Sequence, residues 1–93
     1  MITLGDKLRQ LREENQMAQR QVGAVIEVDG AFVSKVESNE KPIKRDHLKK
    51  LAKLFKVDEV ELQTLWLADK VRNILSEEPQ AEEVIKILET DYN

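Results

Sequence analysis

The stretch from Gln19 to Glu37, QRQVGAVIEVDGAFVSKVE, leaves few folds open. It parses as helix, tight turn, helix. Gln19 opens the first short helix. Val22 and Val25 point inward from it, and Gly23 falls where two helices must approach closely. Ile26, Glu27 and Val28 make the turn. Asp29 then offers a carboxylate to the free backbone N–H groups of the next helix's first turn. Val33 and Val36 bury that second helix, which leaves Gly30, Ala31, Phe32, Ser34 and Lys35 facing outward. The outcome is a short helix with a small-residue outer face, held against its neighbour across a turn of three to four residues.

The rest of the chain also reads as helix, six in all, with no convincing strand. Helix 1 spans roughly Leu4 to Asn15, with Thr3 and Asp6 as a capping pair and Leu4, Leu8 and Leu11 on one face at helical spacing. Pro42 ends the segment after helix 3 because it cannot continue a helix. Helix 4 starts near Asp46 as N-cap and buries Leu48, Leu51, Leu54 and Phe55. Helix 5 starts at Asp58, with Glu61 completing a capping box, and runs to about Leu75. Helix 6, about Gln80 to Thr90, carries Ala81, Val84, Ile85 and Leu88 on one face and glutamates opposite.

Ninety-three residues make one domain with an appended element. Zero cysteines exclude disulfides, thiolate zinc sites and cysteine nucleophiles. No apolar run is long enough to span a membrane. The N-terminal MITLGDKLRQ lacks the basic-then-apolar design of a signal peptide, so a cytoplasmic location is expected. The net charge of −3 conceals a division. Residues 1–57 carry 12 Lys/Arg against 8 Asp/Glu, a net +4, while residues 58–93 carry 3 against 10, a net −7. A basic first part suits a polyanionic partner, and the acidic second part points away from it.

Helix-by-helix, Arg9 to Glu37 resembles the lambda-repressor-like, Xre-type helix-turn-helix family. The matching elements are Leu8-Arg9-x-Leu11-Arg12 on the first helix and Gln19 at the start of the second. Val33-Ser34-Lys35-Val36-Glu37 matches the end of the recognition helix, and Leu48, Leu51, Ala52, Leu54, Phe55 and Val57 match the fourth helix. The resemblance covers roughly residues 3 to 66. It implies an all-α, five-helix DNA-binding domain over residues 1–66, with residues 67–93 as a C-terminal helical extension for dimerisation or partner binding.

What the resemblance implies for individual residues follows the same register. Gly30, Ala31, Phe32, Ser34 and Lys35 match base-facing positions of double-stranded DNA readers, and Gln19 matches a phosphate donor. Arg12 and Glu37 match a partly buried ion pair, and Arg12 also lies near a phosphate. Lys41, Lys44 and Arg45 precede helix 4 and form a phosphate clamp with its N-terminus. Here the chain departs from the family pattern. Gly30 and Ala31 have no side-chain hydrogen-bonding groups and cannot read bases by bidentate bonds. Ala31 and Phe32 can meet thymine methyls, Lys35 a guanine or a phosphate. Either sequence choice then leans on DNA shape, or specificity is low.

Helices 5 and 6 are more apolar than a five-helix module needs. Val60, Leu67, Val71, Ile74, Leu75, Val84, Ile85 and Leu88 are therefore expected to form a homodimer interface. Trp66 reads as core or interface, and the lysines of helix 4 as a solvated face. Lone His47 has no second histidine or cysteine nearby, so no metal site is expected. Neither a nucleophile–base set nor a cofactor loop is present, which argues against an enzyme. The expected function is a sequence-specific DNA-binding transcriptional regulator, autoregulatory and of the repressor or restriction-modification-controller type. The rival is an interaction module or antitoxin-like protein whose C-terminal helices bind a different protein.

Overall fold

The computed structural model describes residues 2–93. Six α-helices follow one another: α1 (Leu4–Glu14), α2 (Gln19–Val25), α3 (Gly30–Glu37), α4 (Leu48–Phe55), α5 (Glu59–Leu75) and α6 (Ala81–Thr90). A 3-10 turn, Arg45–His47, leads into α4. No strand occurs among the described residues.

Local chemistry explains most helix starts. The Asp6 N–H donates to Thr3 Oγ1 at 3.1 Å and the Thr3 N–H to Asp6 Oδ2 at 3.2 Å, a reciprocal capping box. Asp29 Oδ1 accepts the Phe32 N–H at 2.8 Å, and Asp58 Oδ1 accepts the Val60 N–H at 2.9 Å. At α2 only half a box exists. Gln21 Oε1 accepts the Ala18 N–H at 2.6 Å, but Ala18 has no side-chain acceptor to return the bond. Ala18 already has the extended backbone of an N-cap. Ala18→Ser should therefore raise the unfolding free energy by about 0.5–1 kcal/mol, read as a higher urea midpoint at unchanged m-value. An unchanged or lower midpoint would count against this account of the cap.

The helix ends are made without glycine. Gln16, Glu27, Asn39 and Lys56 take positive φ, at 54°, 61°, 66° and 56°, just beyond α1 to α4. This is the left-handed position that glycine usually fills. Glycine is needed elsewhere for close approach. A Cβ at Gly23 would come 2.5 Å from the Val28 carbonyl oxygen, and one at Gly5 would collide with that of Val36.

The core lies between α1 to α5. Leu4, Leu8 and Leu11 of α1 meet Val22, Ile26, Val33 and Val36, while Leu48, Leu51 and Leu62 lose all contact with water. Each such leucine contributes about 1.5–3 kcal/mol of transfer free energy. Ile26, read from sequence as a turn residue, is buried, because the turn folds back over the core. Ile43, in the loop before α4, is buried as well.

Three sequence expectations need correction here. Asp46 is not the N-cap of α4: it sits inside the 3-10 turn, whose His47 N–H donates to the Lys44 carbonyl at 3.1 Å, and His47 precedes α4. Glu61 does not complete a capping box. Its carboxylate reaches across to Lys7 Nζ of α1 at 3.0 Å, a more distant partner than the backbone N–H at its own helix start. Leu54 is half-buried, and Ala52 takes the buried position instead.

α5 is joined to α1 by polar contacts as well as by packing. Besides the Lys7–Glu61 pair, Asp69 Oδ2 accepts the Leu4 N–H at 3.1 Å and its other oxygen accepts from Arg72. α5 thus continues without a break past residue 66, anchored beside the first turn of α1. α6 follows Pro79 and contributes no residue to the buried core.

Candidate nucleic-acid interface

The α2–α3 unit is held in place by one charged cluster. Arg12 of α1 donates from Nε to Glu37 Oε2 at 2.7 Å and from Nη2 to Glu37 Oε1 at 3.0 Å, a two-pronged pair. Its Nη1 donates to the Met17 carbonyl at 2.9 Å. Gln19 Nε2, in the first turn of α2, adds a bond to Glu37 Oε1 at 3.1 Å. Four residues thus tie α1, the α1–α2 loop and α2 to the last residue of α3. Glu37 is the buried charged residue of the core, with its side chain 5% exposed against 15% for Arg12. The hydrogen bond to Glu37 raises the Arg12 pKa above its ordinary value. Burial opposes this, and the negative charges of Glu37 and Glu13 add to it. The guanidinium therefore stays charged.

The resemblance matches Arg12 to the Glu37 pair before any phosphate, whereas it matches Gln19 to a phosphate alone, and Gln19 here bonds to Glu37 instead. Three Arg12 N–H donors and the Gln19 amide are engaged inside the protein, so both act first as internal fasteners.

On α3, Ala31, Ser34 and Lys35 are exposed. Phe32 is not turned fully outward as expected: it is half-buried and packed on the core. Its position four residues before Val36 puts it on the same face as that buried side chain. Gly30 is half-buried too. A Cβ there would come 3.2–3.5 Å from the Arg20 backbone and side chain, so Gly30 serves the approach of α3 to α2. The outer face is accordingly Ala31, Ser34 and Lys35. Arg20, exposed at the start of α2 beside Gly30, completes its edge. Sequence reading missed Arg20. Its place immediately after Gln19 in the first turn of α2 was the available signal.

Lys41, Lys44 and Arg45 are exposed on the loop that follows. Buried Ile43 pins this loop, and its carbonyl accepts the Trp66 indole N–H at 2.7 Å. That bond fixes the loop to α5, a contact no local pattern announces. A cleft of about 530 Å³ opens between the α1 N-terminus, this loop and α5, walled in part by Leu4, Val36, Trp66 and Ile74. It too has no sequence signal, because four separate segments build it.

Of the residues expected at a dimer interface, Val60, Leu67, Val71, Ile74, Ile85 and Leu88 are exposed, while Leu75 and Val84 are half-buried. Ile87, which the helical-face reading left out, is 67% exposed on α6. No helix among the described residues is long and apolar enough to cross a membrane.

The family model described as a helix-turn-helix domain matches residues 3–65, which span α1 to most of α5. No curated protein and no solved structure matches the chain. A helix-turn-helix domain suggests a DNA-binding regulator, and such domains are typically non-enzymatic. By this match over about two thirds of its length, the chain belongs to the helix-turn-helix domain family.

Proposed function

We propose that this protein is a sequence-specific regulator of transcription that binds double-stranded DNA as a homodimer. The observation that carries this reading is the outer face of α3. Ala31, Ser34 and Lys35 are presented on a helix whose orientation is fixed by Arg12, Glu37 and Gln19. Arg20, Lys41, Lys44 and Arg45 flank that face with positive charge for the phosphate backbone. With no bidentate reader among the three, discrimination comes from Lys35 against guanine, from Ala31 against thymine methyls, and from DNA shape.

One module of this size makes few contacts, and a two-fold dimer on half-sites one helical turn apart doubles them. The exposed apolar residues of α5 and α6 supply a surface for that pairing. In this reading the regulator acts in the cytoplasm, as a repressor or restriction-modification controller that also governs its own gene. Selection of bound fragments from sheared source-genome DNA at near-physiological salt tests the reading. A few discrete two-fold-symmetric sites, one of them upstream of its own gene, are expected. Unselective recovery by folded protein would sink it.

A second reading has its own support in α6, whose Ile85, Ile87 and Leu88 are exposed and unburied by the rest of the chain. In that case the acidic extension binds a different protein, as an antitoxin does. A monomer by light scattering, joined to a stoichiometric partner that is lost on deleting residues 76–93, would favour it over the dimer.

A further inference from the structure

Trp66 of α5 carries two cations on one ring. Lys70 Nζ stands 4.6 Å from the ring centroid and the Arg45 guanidinium carbon 5.5 Å, so the two charges lie no farther apart than the sum of those distances. Both distances fall within the range in which an aromatic face attracts a cation. Lys44 lines the same concave surface, alongside Pro42 and Asp46.

The charges of this cluster are not spent on carboxylates within the chain. Lys7, Arg9, Arg12 and Arg72 each have a carboxylate within 4 Å. Among the described residues, Lys44, Arg45 and Lys70 form no such pair. Like charges gathered on one ring repel each other, and an anion set between them removes that repulsion. The cluster is also held firmly. The Trp66 N–H bond to Ile43 fixes the ring to the loop bearing Lys44 and Arg45, and Asp69 anchors the neighbouring turn of α5 to α1. The loop continues directly from α3, so the cluster extends the positive rim of the reading face onto α5.

We propose that Lys70, with Arg45 and Lys44, forms a backbone-phosphate site for DNA, and that Trp66 is the positioning residue that holds Arg45 and Lys70 in it. The proposal rests on the DNA-binding reading above and deepens it by adding α5 to the contact surface. DNA is then gripped on both sides of the 38–44 loop, by α3 in the groove and by α5 on the backbone.

The chain has one tryptophan, so its emission comes from the ring that holds this site and from no other. The test uses the full chain and a duplex carrying a selected site, or a random-sequence duplex if none is selected, titrated at several salt concentrations. The variants are Lys70→Gln and, as a control for net charge, Lys86→Gln on α6. Both lysines are exposed, so both variants fold. Wild-type protein and Lys86→Gln should show the same slope of log K against log salt. Lys70→Gln should lower its magnitude by about 0.9 for each subunit bound, hence by about 1.8 for a dimer on a two-fold site, the value for one lost phosphate contact per subunit. Trp66 emission should change on saturation with duplex in wild type and Lys86→Gln, and change less in Lys70→Gln. Equal slopes in the two variants, with wild type binding, would overturn the α5 site and leave the DNA-binding reading standing. No binding by folded wild type would overturn both.

Discussion

Arg12→Ala is expected to lower the unfolding free energy by roughly 3–5 kcal/mol, the range for stranding one member of a buried ion pair. For a domain of this size each kcal/mol moves the midpoint by about 4–8 °C, so thermal melting should fall by on the order of 15 °C or more. The size of the effect comes from what is left behind. Glu37 would keep only the Gln19 amide as a side-chain partner, in a place with almost no access to water. Glu37→Gln should cost less, because the stranded Arg12 is the more exposed of the two and keeps its bond to the Met17 carbonyl. An Arg12→Met, Glu37→Leu double variant should recover part of the loss, since an apolar pair strands no charge and only the Met17 carbonyl and the Gln19 amide lose a partner. Urea unfolding of the three variants measures each of these costs. If Arg12→Ala costs under about 1 kcal/mol, the cluster behaves like an exposed pair and the fastening role assigned to it is wrong.

The second large effect concerns assembly. Val71→Glu with Ile74→Glu places four like charges across a two-fold axis in the proposed dimer. Both residues are well exposed in the single chain, at 45% and 73%, so the helix itself tolerates the change. The variant should be monomeric by light scattering at micromolar concentration, with an unchanged circular dichroism spectrum. Its affinity for a two-fold-symmetric site should fall about 10²–10⁴-fold, the gain normally provided by making the second contact intramolecular. Affinity for a single half-site should fall much less, by no more than the added charges beside Lys70 cost a phosphate contact. A variant that still dimerises, or a wild type that never does, would move the apolar face of α5 to a different role.

The elements themselves were legible because their causes are local. Thr3 with Asp6, Asp29 and Asp58 cap helices through bonds that span two or three residues, so the sequence displays them directly. The i, i+4 and i+3 spacing of Leu4, Leu8 and Leu11, or of Val33 and Val36, likewise fixes the buried face before any neighbour is known. The same local logic failed at Asp46 and Glu61, where a tighter turn and a distant lysine offered better partners than the nearest helix end. It failed at Phe32 because a short helix beside a concave core buries more than its two strictest positions.

The order of the helices, the caps at Thr3, Asp29 and Asp58, the charge division and the family resemblance are all legible in the chain alone. How far the interface reaches, and which groups beyond the Arg12–Glu37 pair hold it, depends on contacts between distant segments. Glu37 meets Gln19 across 18 residues and Arg12 across 25; Trp66 meets Ile43 across 23, and Asp69 meets Leu4 across 65. Contacts at such separations depend on where whole helices pack, and packing follows the summed burial of many side chains, which no spacing between two residues encodes. For that reason Gln19 joins the Arg12–Glu37 pair that the resemblance implied, Arg20 comes to the edge of the reading face, and a lysine of the fifth helix stands beside the loop that follows the third.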